Sequence, residues 1–234
     1  MCASTVSSTM LSAIAKKEGF HFEDTLTGFK WIGSRAAALR NEGFRPLFAY
    51  EEAIGFCCGD VVFDKDGISA IGVITKLCLD LYSKGKNLGD YMQDLYHMYG
   101  EFVSNNGYFY CYDPKIVEKV LKQIRHIGQN VKKVGPYEVV SIRDLGHPGY
   151  DSTKDDGKPT LPTSKSSPMI TLRFSNGCVA QFRGSGTEPK FKYYIEMCGK
   201  PGVNRCQVEK DLLSTSSVIL EGLLKPAENG LIAP

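Results

Sequence analysis

The residues best suited to chemistry lie in one short segment, 183–190, with the sequence Arg-Gly-Ser-Gly-Thr-Glu-Pro-Lys. A guanidinium presents paired donors that match phosphate oxygens, hydroxyls add further donors, and glycines let backbone N–H groups approach an anion. The flanking segments 178–183 and 191–197 are strand-like, so we predict a loop between strands that binds a phosphate group on a small molecule. The candidate phosphate-binding residues are Arg183, Gly184, Ser185, Gly186, Thr187 and Lys190.

This loop does not follow the Walker A pattern, which requires Gly, four residues and then Gly-Lys-Ser/Thr. The alternative is an ordinary polar turn in a sheet, because short Gly/Ser/Thr loops are common. A carboxylate beside a phosphate repels it. We therefore expect Glu188 to point away from the bound anion and to stabilise the turn.

A second candidate site follows the apolar run 46–50, which is typical of a buried parallel strand. Ligands bind beyond the carboxyl ends of parallel strands, where the carboxylate of Glu51 can accept hydrogen bonds from sugar hydroxyls. The alternative is that Glu51 and Glu52 are acids at the start of a helix. Segment 27–31 also follows a predicted strand, and a tight turn with a core aromatic explains it equally well.

The elements that must position these residues divide into two regions. In the first, we predict helices that end at Gly19 and span 34–42, 67–84 and 88–99, alternating with strands. Lys65 is a cation just ahead of one of these helix starts. This alternation predicts an α/β domain with a mostly parallel sheet over residues 1–100.

The second region, 101–234, has the pattern of an α+β domain with an antiparallel sheet. Asp113-Pro114 predicts a helix start, and Asn176-Gly177 predicts a type I′ hairpin turn between 169–175 and 178–183. A last helix is predicted from Asn204, with Gln207 completing a capping box. Residues 146–168 are predicted to form a long surface loop.

Composition excludes several classes of protein. A net charge of +2 without a basic stripe gives no indication of nucleic-acid binding, and no apolar run reaches membrane-spanning length. The eight cysteines form no CxxC pair, and the four histidines form no spaced metal or triad pattern. We expect reduced thiols, a cytoplasmic location, and no metal site in this chain.

Four motifs, taken together and in order, resemble the α-D-phosphohexomutase superfamily, and within it the phosphoglucomutase-2/phosphopentomutase branch that includes glucose-1,6-bisphosphate synthase. They are Thr-Leu-Thr-Gly-Phe-Lys-Trp-Ile-Gly at 25–33, Phe-Ala-Tyr-Glu-Glu-Ala-Ile-Gly at 48–55, Asp-Lys-Asp-Gly at 64–67, and the loop at 183–190. The resemblance implies that 1–100 is the family's third domain, truncated at its start. It implies that 101–234 is the fourth, a TATA-binding-protein-like domain.

The resemblance also implies roles for individual residues. Glu51 and Ala53 correspond to the sugar-recognition loop, where many members have Ser at the position of Ala53. The phosphate-binding loop corresponds to Arg183, Ser185, Gly186 and Thr187. The segments implied to face the active cleft contribute Gly28, Phe29, Lys30 and Lys65.

The activity implied by the resemblance is that of an isomerase in carbohydrate metabolism, which moves a phosphoryl group within a phosphosugar through a bisphosphate such as glucose 1,6-bisphosphate. The family uses a phosphoserine in a Ser-His-Asn-Pro segment and binds Mg²⁺ through an Asp-x-Asp-x-Asp-Arg segment, and neither occurs here. We therefore expect a C-terminal portion of a mutase that contains no catalytic residue and is inactive alone. The full-length form is expected to be a monomer.

The alternative is a non-catalytic module that binds phosphosugars without transferring phosphate. A mutase assay of the chain itself separates these two hypotheses. A third possibility is an unstable product, because a truncated domain exposes an edge strand that favours aggregation.

Overall fold

The computed structural model describes residues 1–52, 54–186 and 188–234. The chain divides into two units, one formed by Met1–Phe102 with Lys200–Gly202 and the other by Val103–Gly199 with Val203–Pro234. Within the described residues, no helix combines the length and the apolar composition needed to cross a bilayer.

The first unit is built on a four-stranded sheet with the order β2-β1-β3-β4. Strand β1 is parallel to both β2 and β3, and β4 is antiparallel to β3. This confirms the predicted α/β class with a mostly parallel sheet. Its elements are β1 (Cys2–Ser4), α1 (Met10–Glu18), β2 (Glu23–Thr25), α2 (Phe29–Asn41), β3 (Phe48–Glu51), β4 (Gly55–Cys58), α3 (Gly67–Tyr82) and α4 (Leu88–Tyr99).

The core of this unit forms where α2 packs on the sheet. Its buried members come from β1, α2, β3 and β4, and they are Cys2, Phe29, Ile32, Leu39, Ala49 and Cys57. A close approach accompanies this packing, because a Cβ built on Gly33 would lie 2.0 Å from the carbonyl oxygen of Phe63. Only glycine fits at that point of α2.

Two local predictions for this unit are wrong. Helix α2 begins at Phe29 rather than near residue 34, so segment 27–31 contains the first turn of a helix and not only a tight turn. Its N-cap is Gly28, which has no side chain to cap the helix, and the N–H of Gly28 donates to the carboxylate of Glu51, 23 residues away. The acids after β3 do not start a helix either, because β3 returns as β4 in a hairpin.

The second unit contains an antiparallel sheet with the order β5-β11-β10-β9-β7-β6, and β8 pairs with β7. This confirms the predicted α+β class. Its elements are β5 (Glu101–Tyr110), α5 (Pro114–His126), a π-helical turn (Ile127–Val131), β6 (Lys133–Val134), β7 (Tyr137–Asp144), β8 (Tyr150–Asp151), β9 (Met169–Phe174), β10 (Cys178–Gly184), β11 (Lys190–Gly199) and α6 (Arg205–Leu224).

A hydrophobic core lies where α5 and α6 cover this sheet. Val120, Ile124, Phe182 and Ile195 are fully buried members of this core. Helix α5 begins as predicted, with Asp113 accepting from the N–H of Lys115 and Pro114 in the first turn. The core side chains of β10 and β11 alternate with side chains on the opposite face of the sheet.

Two turn and cap predictions in this unit are wrong. A type I′ turn needs positive φ at both central residues, but of the two predicted positions only Gly177 has it, at 84°. The N–H of Gly177 instead donates to the carbonyl of Phe174, and three residues connect β9 to β10. The side chain of Gln207 donates to Asp211 rather than closing a capping box with Asn204.

Replacing Gly33 with alanine is expected to destabilise the protein by roughly 1–3 kcal/mol, because the new methyl group overpacks against a carbonyl that cannot move freely. Gly72 in α3 is the matched control, since a Cβ there meets nothing within 4 Å. Gly72→Ala should stabilise by about 0.5–1 kcal/mol through the reduced entropy of the unfolded chain. Urea denaturation followed by circular dichroism measures both, and equal midpoints for the two variants would contradict the packing described.

Candidate functional site

The first candidate site centres on Glu51, the last residue of β3. Its Oε2 lies 2.8 Å from the backbone nitrogen of Gly28 and accepts a hydrogen bond from it. Gly28 is the N-cap of α2 and has a φ of 102°, a conformation that favours glycine. The carboxylate therefore sits at the positive end of a helix, where negative charge is stabilised.

Phe29 and Lys65 complete this cluster around Gly55, the first residue of β4. The ammonium of Lys65 lies 4.8 Å from the ring centroid of Phe29. A Cβ built on Gly55 would lie 3.0 Å from both Lys65 Cδ and Phe29 Cε2, and 3.2 Å from Glu51 Cγ. Gly55 belongs to this candidate site, and the sequence analysis did not select it. The motif at 48–55, which ends in Gly55, could have pointed to it.

The structure thus brings together four of the predicted residues of this unit: Gly28, Phe29, Glu51 and Lys65. The ammonium of Lys30 lies 5.8 Å from the ring centroid of Trp31. Ala53 lies outside the described residues. The cluster offers a carboxylate that accepts hydrogen bonds and an ammonium that donates them, next to an aromatic face. These groups suit a polyhydroxylated ligand that carries negative charge.

The second candidate site lies where β10 and β11 meet. The register pairs Arg183 with Lys192 and Gln181 with Tyr194, so these four side chains share one face of the sheet. The Nη2 of Arg183 donates to the hydroxyl of Tyr194 at 3.2 Å. The buried Nε of Arg183 has no hydrogen-bond partner among the described residues, which leaves a guanidinium donor for an anion.

The connection between the two strands carries Ser185 and Glu188, and Lys190 is the first residue of β11. The N–H of Ser185 donates to the carbonyl of Lys190 at 2.8 Å, so this backbone donor closes the loop and is not left over for a phosphate. The hydroxyl of Ser185 makes no hydrogen bond to another described residue. Thr187 lies outside the described residues.

Glu188 contacts the cations of this site instead of pointing away from them, which corrects the prediction made from the sequence. Its carboxylate lies 2.6 Å from the ammonium of Lys190 and 3.3 Å from that of Lys192. The hydrogen bonds from Lys190 and Lys192 lower the pKa of Glu188, and the same carboxylate raises the pKa of Lys190. The three side chains therefore form one charged network at the end of the hairpin.

The two glycines of the loop, Gly184 and Gly186, do not adopt the left-handed conformation that glycine permits. Neither Gly184 nor Gly186 is among the residues with φ above zero. Gly184 ends β10, and a Cβ there would lie 3.0 Å from Val117 Cγ1, so packing against α5 favours glycine. Around Gly186 a Cβ would find open space, which leaves its backbone accessible.

Lys192 and Tyr194 are site residues that the sequence analysis did not select. Both follow Lys190 at a spacing of two in a strand, and this spacing places all three on one face. The ammonium of Lys190 also lies 4.3 Å from the ring centroid of Tyr108. Among the described residues, no group of three or more histidines, cysteines, aspartates or glutamates is arranged to hold a metal ion.

Comparison with known proteins relates the whole chain to one family. Residues 1–99 match the family model for phosphoglucomutase/phosphomannomutase, alpha/beta/alpha domain III. The chain is 45% identical to glucose 1,6-bisphosphate synthase of Mus musculus and 46% identical to phosphopentomutase of Homo sapiens. Each alignment covers 99% of this chain and 38% of the relative, so the chain spans well under half the length of these proteins.

A solved structure shows the same fold at low sequence identity. The open form of pp63/parafusin, a phosphoglucomutase from Paramecium, matches with a TM-score of 0.68 and 16% identity. The match covers 97% of this chain and 38% of that one.

Replacing Glu188 with glutamine is expected to strengthen the binding of inorganic phosphate by up to about fivefold, because Lys190 and Lys192 lose their counter-charge while the side-chain shape is kept. The gain should shrink at high salt. Glu209→Gln is the matched control, since Glu209 pairs with Arg205 on α6 and its side chain is 43% exposed, against 42% for Glu188. Calorimetric titration measures both variants, and weaker binding by Glu188→Gln would show that the carboxylate supports the anion site.

Proposed function

This chain belongs to the phosphoglucomutase/phosphomannomutase family, and on that premise we propose that it forms the substrate-binding part of a phosphosugar mutase. The reaction of such an enzyme is reversible phosphoryl transfer within a phosphosugar through a sugar bisphosphate. The observation that carries the proposal is the convergence of Arg183, Lys190 and Lys192 on the end of one hairpin, with the Nε of Arg183 lacking a protein partner.

In this proposal the β10–β11 connection binds the phosphate group that does not react. Arg183 supplies a forked donor, Lys192 supplies a second cation on the same face, and the hydroxyl of Ser185 supplies a further donor. We assign Gly184, Gly186, Thr187 and Lys190 to the same loop on the family pattern. Holding a remote phosphate orients the reacting end of the substrate, which lowers the entropy loss in the transition state.

The Glu51 cluster binds the sugar in this proposal. One carboxylate oxygen of Glu51 is held by the N–H of Gly28, so the side chain is fixed in place and its other oxygen can accept from a sugar hydroxyl. Lys65 adds a cation beside the ring of Phe29. Because a bisphosphate intermediate reacts in two orientations, these contacts must accept the sugar both ways round.

The family resemblance also implies Mg²⁺. The described residues contain no cluster of carboxylates, histidines or cysteines that fits one, so we derive no step through a metal. We propose hexose or pentose phosphates as substrates, glucose 1,6-bisphosphate as an intermediate, a monomeric full-length form and a cytoplasmic location. A non-catalytic phosphosugar-binding module is the alternative, and it uses the same binding residues.

Arg183→Ala is expected to weaken the binding of glucose 1-phosphate to this chain at least about tenfold, because a charged hydrogen bond contributes roughly 1.5–3 kcal/mol. Arg205→Ala is the control, since it removes an arginine whose ion pair with Glu209 lies on the surface of α6. Isothermal titration calorimetry measures the dissociation constants. Unchanged affinity in Arg183→Ala would indicate that segment 183–190 is an ordinary polar turn and does not bind phosphate.

Glu51→Gln is expected to weaken glucose 1-phosphate binding by roughly two- to tenfold through the loss of a charged acceptor. It should leave the affinity for inorganic phosphate unchanged, because that probe has no sugar hydroxyl. Glu52→Gln is the matched control at the neighbouring position, where the backbone N–H donates to Ser7. Competition binding with glucose 1-phosphate and inorganic phosphate measures the two affinities for each variant. A larger loss of glucose 1-phosphate affinity in Glu52→Gln than in Glu51→Gln would show that the assignment of the sugar contact to Glu51 is wrong.

A further inference from the structure

A cavity of about 700 Å³ lies inside the second unit, and its size is in the range of small-molecule sites. Its walls come from helix α5 and the residues just before it, the end of the β10–β11 hairpin, loop 164–168, and Gly146 with His147. The loop belongs to the long polar segment between β8 and β9, to which the proposed function assigns no role.

The cavity lies on the α5 side of the sheet, away from the guanidinium of Arg183. Side chains alternate along β10, so Phe182 and Gly184 face α5 while Arg183 faces the other way. Gly184 lies against Val117 of α5, and both residues line the cavity. Segment 183–190 therefore borders this cavity on the α5 side of the sheet, whereas the guanidinium of Arg183 lies on the opposite side.

Loop 164–168 presents hydroxyl groups to this cavity. The Oγ atoms of Ser164 and Ser166 lie 3.2 Å apart, and the N–H of Ser167 donates to Ser164 Oγ at 3.1 Å. These bonds hold the loop in a turn. Leu121 contributes an apolar surface from α5.

The charges that line the cavity leave one cation available. The guanidinium of Arg125 is bonded to the carboxylate of Asp144, and Lys190 is bonded to Glu188. Lys165 lines the cavity and has no ion pair among the described residues. The other titratable groups in the lining are Cys111, Tyr112, His147 and Glu118. The carboxylate of Glu118 can accept hydrogen bonds from hydroxyls.

We propose that this cavity is a second binding site for a sugar phosphate, distinct from the site at Arg183. Lys165 and the serine hydroxyls of loop 164–168 bind the phosphate, and Glu118 accepts from the sugar hydroxyls across the cavity. The site requires only residues of the second unit. It stands whether or not Glu51 contacts a substrate.

The test is an NMR titration of the full chain with glucose 1-phosphate, following backbone amide signals. We expect two sets of shifts, one at 164–168 and one at Lys192 and Tyr194. Lys165→Ala should weaken binding at least about tenfold for the first set only, as expected for the loss of a charged contact. Lys165→Arg should restore it, because it returns the cation.

Arg183→Ala is the complementary variant and should leave the first set of shifts unchanged. The proposal is overturned if Lys165→Ala leaves the shifts at 164–168 intact. It is also overturned if Arg183→Ala abolishes both sets, because the cavity would then be part of a single site at the phosphate loop. Unchanged thermal melting of the variants shows that the fold is kept.

Discussion

The register of β10 against β11 is the constraint on which the candidate phosphate-binding segment, 183–190, depends. It pairs Arg183 with Lys192 and Gly184 with Phe191, so the cations lie on one face and the core residues on the other. A shift of one residue would turn Arg183 into the core and expose Phe182. The hydrophobic core beneath the sheet therefore fixes the position of the guanidinium, and the charged network around Glu188 can form only in this register.

A single hydrogen bond has a comparable role in the first unit. The bond from Gly28 to Glu51 joins the start of α2 to the end of β3, and it keeps the carboxylate at the helix N-terminus. Phe29 and Lys65 meet beside Glu51 around Gly55, where a side chain would not fit without displacing them. The side chain of Glu51 thus supports the fold, and it is also the group that we propose contacts the sugar.

The sequence predicted what depends on local pattern. The apolar periodicity of α3 and α4, the Asp113-Pro114 start of α5, and the strands around 183–190 are all determined by neighbouring residues. The sequence did not predict the start of α2, because its N-cap, Gly28, has no capping side chain and is bonded to Glu51, 23 residues away. Nor did it predict the pairing of Glu188 with two lysines, since the turn that brings them together is set by the sheet. The family motifs supplied the candidate site residues, but the contacts among these residues required the fold.

The central claim is that the phosphate of a phosphosugar is held by the guanidinium of Arg183 at the end of the β10–β11 hairpin. A crystal structure of the chain with glucose 1-phosphate bound tests it most directly. The account predicts a phosphate oxygen within about 3.2 Å of the Arg183 guanidinium, with Lys192 or the hydroxyl of Ser185 as a second donor. A bound sugar phosphate in that crystal with no contact to Arg183, whose guanidinium still donates only to Tyr194, would contradict it.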